Sequence, residues 1–169
     1  LKIINKSDSK KIIDSKKFYN ATKRENSQRD FISEGIKNAN DNDLILISDV
    51  DEIPNLNSFN FNKISHKITV FEHYFFYYKF DLYIPNFFWY ATKIIKKKDL
   101  ISPQWARNIK CKKYSLFRLD TILSKQKYNN IKIIKNGGWH FSNIKSPEEK
   151  ELKYRAYLNK YEFKKSSMN

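Results

Sequence analysis

Asp43-Leu44-Ile45-Leu46-Ile47-Ser48-Asp49-Val50-Asp51-Glu52-Ile53-Pro54 is the segment from which the rest of the chain can be read. Its four consecutive aliphatic residues predict a buried strand, expected to run parallel to its neighbours. Three acidic residues then fall within four positions, and Pro54 is expected to end the ladder. A buried strand that releases carboxylates at its C-terminal end places them where open α/β sheets bind ligands. Asp49 and Asp51 are two apart, so in extended geometry they share a face about 7 Å apart. One divalent cation can then be held by one carboxylate directly and by the other through water.

The spacing alone also fits a solvated loop or a helix N-cap. An EF-hand is excluded, because its sixth position needs Gly and this chain has Pro54. A haloacid-dehalogenase-type phosphatase also begins with a strand and Asp-x-Asp. It would open the domain and be followed by an acidic pair, whereas here a helical stretch precedes the motif and no Asp-Asp pair follows. That reading remains a minor alternative. A nucleotide-sugar transferase metal site needs a strand, a preceding helix and a later ligand, and all three have candidates.

Working outward, 169 residues predict one domain over 1–169, large enough to bury a core. Aromatic residues reach 16%, with 13 Phe and 11 Tyr, so a core or cleft is rich in rings. The net charge of +15 suits an anionic partner: nucleic acid, an anionic membrane or a diphosphate. The lysines are scattered, however, and Lys, Asn and Ile abound as in AT-rich genomes. Compositional bias is therefore favoured, and a basic nucleic-acid-binding module is kept only as an alternative. Cys111 is the single cysteine, which excludes an intramolecular disulfide and a Cys-based zinc site. No run approaches the ~20 apolar residues of a membrane span, and no signal peptide is visible. The chain starts at Leu1 without Met, which suggests a fragment.

Residues 1–4 are expected to be a strand and 6–17 a loop or short edge element. Thr22-Lys23-Arg24-Glu25 has capping-box form. The helix it predicts carries Phe31, Ile32, Ile36 and Ala39 on one face and ends at Asn40-Asp41-Asn42. Residues 55–62 suggest a short helix or turn. Strands are expected at 67–71, 73–80 and 87–95, with Pro85-Asn86 as a turn and the last two pairing antiparallel into an aromatic wall. Ser102-Pro103 predicts an N-cap and a short helix through Trp105 and Arg107. Residues 114–119 and 131–134 read as strands. Ser146-Pro147-Glu148-Glu149 opens a closing helix to about residue 163, carrying Leu152, Tyr154, Tyr157 and Leu158.

Asn136-Gly137-Gly138-Trp139-His140-Phe141-Ser142 holds two of the three glycines. Glycine permits positive φ and close backbone approach. His140 can offer an imidazole to a cation, and Trp139 can stack on a sugar or base. A glycine turn followed by a core Trp and a hydrogen-bonded His is the plainer alternative. His66 and His73, in an apolar or strand context, read as structural.

Arg24-Glu25-Asn26-Ser27-Gln28-Arg29, the Asp43–Pro54 segment, Trp89-Tyr90-Ala91-Thr92-Lys93 and Gly137-Gly138-Trp139-His140-Phe141-Ser142 occur in this order. In these stretches the chain resembles glycosyltransferase family 17, the bisecting β-1,4-N-acetylglucosaminyltransferases and their microbial relatives. The resemblance implies an α/β, GT-A-like Rossmann-type mixed sheet flanked by helices, truncated at the N-terminus, since the family's first strand has no counterpart upstream of Leu1. A family-type His in the final helix is not evident, and Asn159 lies near its place. The activity implied is metal-dependent, inverting transfer of N-acetylglucosamine from a UDP-sugar donor to a glycan acceptor hydroxyl. Mn²⁺ or Mg²⁺ would be held by Asp49, Asp51 and His140, one imidazole favouring Mn²⁺. Arg29 and Arg107 would meet the phosphates, while Trp89, Trp139 and the ring-rich strand would platform the acceptor. Asp51 and Glu52 are the catalytic candidates. For the base, Glu52, Glu72 and Asp81 qualify, with Glu52 preferred for its closeness to the metal motif.

Overall fold

The computed structural model describes residues 1–61, 64–111, 114, 124–128 and 130–156. In chain order its α-helices and strands are α1 (Lys10–Asp30), β1 (Leu44–Ile47), β2 (Glu52–Pro54), β3 (Ile68–Tyr77), β4 (Tyr83–Lys96), α2 (Pro103–Asn108), β5 (Ile131–Ser142) and α3 (Pro147–Ala156). They fall into two compact units. One holds Leu1–Phe31 and the described residues from Lys145 onward, the other Ile32–Ile144.

In the first unit α1 takes in most of the stretch expected to be a loop, for it is uninterrupted by Gly or Pro and rich in straight-chain lysines. Thr22 is therefore not an N-cap. It lies mid-helix, and its Oγ1 donates to the Phe18 carbonyl at 3.0 Å, the back-bond a helical threonine makes. α1 gives way to a 3-10 helix over Phe31–Ile36, so the apolar face expected there is not continuous, and Phe31 is exposed. Residues 1–4 form no strand. The Asn20 side chain satisfies the Lys2 backbone instead, accepting its N–H at 2.6 Å and donating to its carbonyl at 2.7 Å. The capping box of α3 is realised reciprocally: Glu149 N donates to Ser146 Oγ at 3.2 Å, and Ser146 N to Glu149 Oε2 at 2.9 Å. Tyr157, Leu158 and Asn159 lie outside the described residues.

The second unit is built on a five-stranded sheet in the order β1-β4-β3-β5-β2. Only β3 and β5 pair in parallel; the other pairs are antiparallel. The unit is thus mixed α/β, but β1 differs from expectation. It is an antiparallel edge strand against β4, and only Ile45 of its four residues is buried. An aliphatic run does not distinguish a central strand from an edge strand whose second face is partly open. β3 is the fully enclosed strand. It joins the two strands expected at 67–71 and 73–80, and its first six residues are all buried.

Ile68, Val70, Ile95 and Ile131 pack with Trp105, Ala106 and Ile109 of α2 and its end. Phe71, Ile94 and Ile134 pack with Phe59 on a second cluster, just after a 3-10 turn over Leu56–Ser58. α2 forms as expected, with Ser102 Oγ accepting from Trp105 N at 3.1 Å and Pro103 at the first helical position. Pro85 and Asn86 lie inside β4, where extra residues are absorbed by a register shift opposite Tyr74 and Phe76, and Asn86 takes φ +59°. Of the strand expected at 114–119, residues 115–119 lie outside the described residues.

The connection between β1 and β2 constrains the whole sheet. These strands are its opposite edges, yet only Ser48, Asp49, Val50 and Asp51 separate them. Four interstrand spacings of a flat sheet span about 19 Å. Five residue steps reach about 17 Å when fully extended, and here they are shortened by a turn in which Glu52 N donates to Asp49 O at 3.0 Å. The sheet must curl to let its edges approach. Ser48 marks the closure, donating to the Glu52 carbonyl at 3.0 Å and lying 2.7 Å from Thr92 Oγ1 of β4.

Candidate metal centre

The acidic turn and the glycine-paired segment meet through β2 and β5. Glu52 stands opposite His140, Ile53 opposite Trp139 and Pro54 opposite Gly138. Flanking bonds lock the register, Phe141 N to Asp51 O at 2.9 Å and Asn55 N to Gly137 O at 2.7 Å. Pro54 is the last residue of β2, so the ladder ends there as expected, on an edge strand where a missing N–H is tolerated. Gly137 and Gly138 are likewise strand residues and not a turn. Gly138 adopts φ +148°, and a Cβ there would collide with the Ile53 carbonyl oxygen and lie 2.9 Å from Pro54 Cα. The glycine is needed so that β2 can approach.

Glu52 is the hub. Its side chain is 1% exposed. Oε1 accepts from Trp89 Nε1 at 3.0 Å and Arg107 Nη1 at 3.1 Å. Oε2 accepts from Asp49 N at 3.1 Å, with Thr92 Oγ1 at 3.4 Å. Burial acts to raise its pKa, but the Asp49 N–H, the Arg107 charge and the Trp89 N–H outweigh it and hold the carboxyl below its usual value. A carboxylate has about four lone-pair sites; three take these N–H donors, and the Thr92 hydroxyl, whose single proton also serves Ser48, lies by the fourth. Glu52 is accordingly an ionised anchor and a poor proton acceptor.

His140 is clamped between rings, with centroids 5.0 Å from both Phe75 and Trp89 and planes within 28° and 24°. Its buried Nδ1 has no hydrogen-bonding partner among the described residues. That atom lies 3.9 Å from both Asp51 Oδ1 and Glu52 Oε1. Burial lowers the His140 pKa, while Asp51 and Glu52 act to raise it. Asp51, Glu52 and His140 present ligand atoms all within 4.8 Å of one another. Bonds of about 2.0–2.2 Å let one ion reach two atoms 3.9 Å apart. The set fits a divalent cation, with a qualification from chemistry: Glu52 already serves other donors, so Asp51 and His140 are its available ligands. Acidic groups of this kind are not specific to a metal.

Asp49 is engaged otherwise, its Oδ2 lying 3.1 Å from Arg107 Nη2. The same guanidinium sits 5.6 Å from the Trp89 ring. Beside it opens a cavity of about 650 Å³ lined by Phe87 to Tyr90, Arg107 to Cys111 and Gln126. Asp49, Asp51, Glu52, Trp89, Arg107 and His140 are thus brought together. Trp139 is not: neighbouring strand residues point to opposite faces, which directs it away from His140, beside Ile53 and Tyr74. Arg29 belongs to α1 of the other unit and lies 3.5 Å from Glu25. Of the remaining base candidates, Glu72 is buried and accepts from Tyr90 Oη at 2.7 Å. Asp81 lies in the exposed connection between β3 and β4.

Three residues that sequence reasoning left out complete the site. Ser48 and Thr92 close the sheet around Glu52, and they lie in the acidic-turn segment and in Trp89–Lys93 respectively. His73 is fully buried, neither ring nitrogen has a partner among the described residues, and burial lowers its pKa to about 4. Glu72 is its neighbour in sequence, but the carboxylate whose charge opposes the shift is Glu52, delivered from the edge strand β2.

No helix among the described residues is long and apolar enough to cross a membrane. Compared with known proteins, the chain matches no family model, no curated protein and no solved structure.

Proposed function

We propose that the chain is a glycosyltransferase of the family 17 type, with a GT-A-like sheet, that moves N-acetylglucosamine from a UDP-sugar to a glycan hydroxyl with inversion. The observation that carries this reading is the unpartnered, buried Nδ1 of His140 facing Asp51 Oδ1 across 3.9 Å. A buried imidazole nitrogen left without a partner costs about 1–3 kcal/mol, and a ligated ion removes that cost.

Asp51 and His140 would hold Mn²⁺ or Mg²⁺, the imidazole favouring Mn²⁺. Once bound, such an ion offsets the charge that develops on a leaving diphosphate. Arg107, at the junction of the acidic turn and the cavity, supplies a planar donor pair suited to phosphate oxygens. Trp89 presents a ring fixed in orientation by its bond to Glu52, as a sugar platform must be. Glu52 orients Trp89, Arg107 and the Asp49 backbone, and the three N–H donors on its carboxylate argue for a positioning role over that of base. The donor is a nucleotide-sugar and the acceptor a glycan; no nucleic acid is required.

Calorimetry with UDP and Mn²⁺ tests the reading. The unaltered chain binds UDP in a Mn²⁺-dependent manner and Asp51→Ala does not; equal heats from both would refute it.

A further inference from the structure

We infer that Arg107 is a counter-ion shared between the acidic turn and a phosphate-bearing ligand, so that it couples divalent-cation binding to anion binding. The inference rests on the metal-dependent reading above and concerns how that site is regulated. Arg107 Nη1 and the unpartnered His140 Nδ1 approach the same oxygen, Glu52 Oε1, at 3.1 and 3.9 Å. A cation between Asp51 and His140 would therefore sit beside the guanidinium across one carboxylate oxygen. Like charges so placed repel, and each disfavours the other. The second arm of the guanidinium holds Asp49 Oδ2 at 3.1 Å, which engages with Arg107 the first acid of the Asp-x-Asp pair.

Arg107 also borders the cavity, together with Lys110, Trp89 and Tyr90. A phosphate entering there meets two cationic side chains and offers the guanidinium a bidentate partner. The Trp89 ring, 5.6 Å from the guanidinium carbon, gives the side chain a surface along which to move while keeping its cation–π contact. Glu52 stays in place, because the Trp89 indole and the Asp49 N–H hold it independently. Moving the positive charge from the turn to the phosphate lowers repulsion at the cation position. Coupling of this kind is reciprocal: whatever factor phosphate adds to cation affinity, the cation adds to phosphate affinity.

The test uses the full chain, Mn²⁺ and inorganic phosphate, with free Mn²⁺ read by electron paramagnetic resonance so that complexes in solution are accounted for. Phosphate is expected to tighten Mn²⁺ binding to the unaltered chain by roughly 5- to 150-fold, the usual range of site–site coupling. Arg107→Gln is expected to bind Mn²⁺ more tightly without phosphate and to gain nothing when it is added. Weaker or unchanged Mn²⁺ binding by Arg107→Gln would mean that the arginine only organises the carboxylates, and would overturn the coupling. So would a phosphate effect that persists in the variant. Should Arg107→Gln not fold, the unaltered chain decides alone, since absence of a phosphate effect overturns the inference. None of these readouts needs sugar transfer. A chain that shows the coupling but transfers no sugar leaves the coupling standing and removes the transferase.

Discussion

Trp89 Nε1 donates to Glu52 Oε1 at 3.0 Å, joining β4 to β2, which are not neighbours in the sheet. The bond exists because the short β1–β2 connection forces the sheet to curl, and it turns a curled sheet into a closed pocket around one carboxylate. Glu52 therefore has two tasks: it pins the fold and it sets the positions of Arg107 and Trp89.

Glu52→Ala removes the partner of Arg107, Trp89 and the Asp49 N–H at once. Deleting one member of a buried charged network costs about 3–5 kcal/mol. Urea denaturation followed by near-ultraviolet circular dichroism should show a loss of that order; a loss below about 1 kcal/mol would contradict the central role assigned to it.

Asp51 is more than a third exposed and takes part in no such network among the described residues, so Asp51→Asn should change stability by less than about 1 kcal/mol. Its effect should appear in ligand binding. Mn²⁺ affinity should fall at least about tenfold, as on loss of a metal ligand or its support. His140→Gln should show the same loss of Mn²⁺ binding, measured by equilibrium dialysis.

His73 supplies a pH dependence of defined sign. Its pKa is about 4 in the folded chain against 6.5 for a free imidazole, because burial penalises the charged ring. The unfolded chain binds the proton first on acidification. The stability is therefore complete above pH 6.5, declines as pH falls toward about 4 and is lost below it. A shift of this size corresponds to about 3 kcal/mol. His73→Leu should flatten the urea midpoint between pH 6.5 and 4. His140, whose pKa burial also lowers, leaves a residual slope of the same sign.

Gly138→Ala places a methyl group against the Ile53 carbonyl and strains a backbone at φ +148°. Freeing β2 from β5 would carry Glu52 and Asp51 away from His140. The variant should lose Mn²⁺ affinity together with at least about 2 kcal/mol of stability. Alanine at Gly35, where nothing lies within 4 Å of an added Cβ, serves as the control and should leave Mn²⁺ binding unchanged.

Local chemistry was enough for several elements. Ser102-Pro103 and Ser146-Pro147 start helices because a hydroxyl cap and a proline at the first position act within one turn. The ring-rich strands pair antiparallel, as alternation and a short connection dictate. The closeness of Asp49, Asp51 and Glu52 follows from chain adjacency alone. The capping-box spelling at Thr22 misled because a cap requires a helix end, and α1 had already begun at Lys10.

Long-range pairing decided the rest. That β1 is an antiparallel edge, that β2 pairs with β5 in the register setting Glu52 opposite His140, and that Arg107 reaches both Asp49 and Glu52 are facts about sheet order. Sheet order depends on which distant segments exclude water together, and no local propensity encodes it. The same holds for Trp139 and His140. Their adjacency guarantees opposite faces, but only the partner strand determines which of the two turns toward the acids.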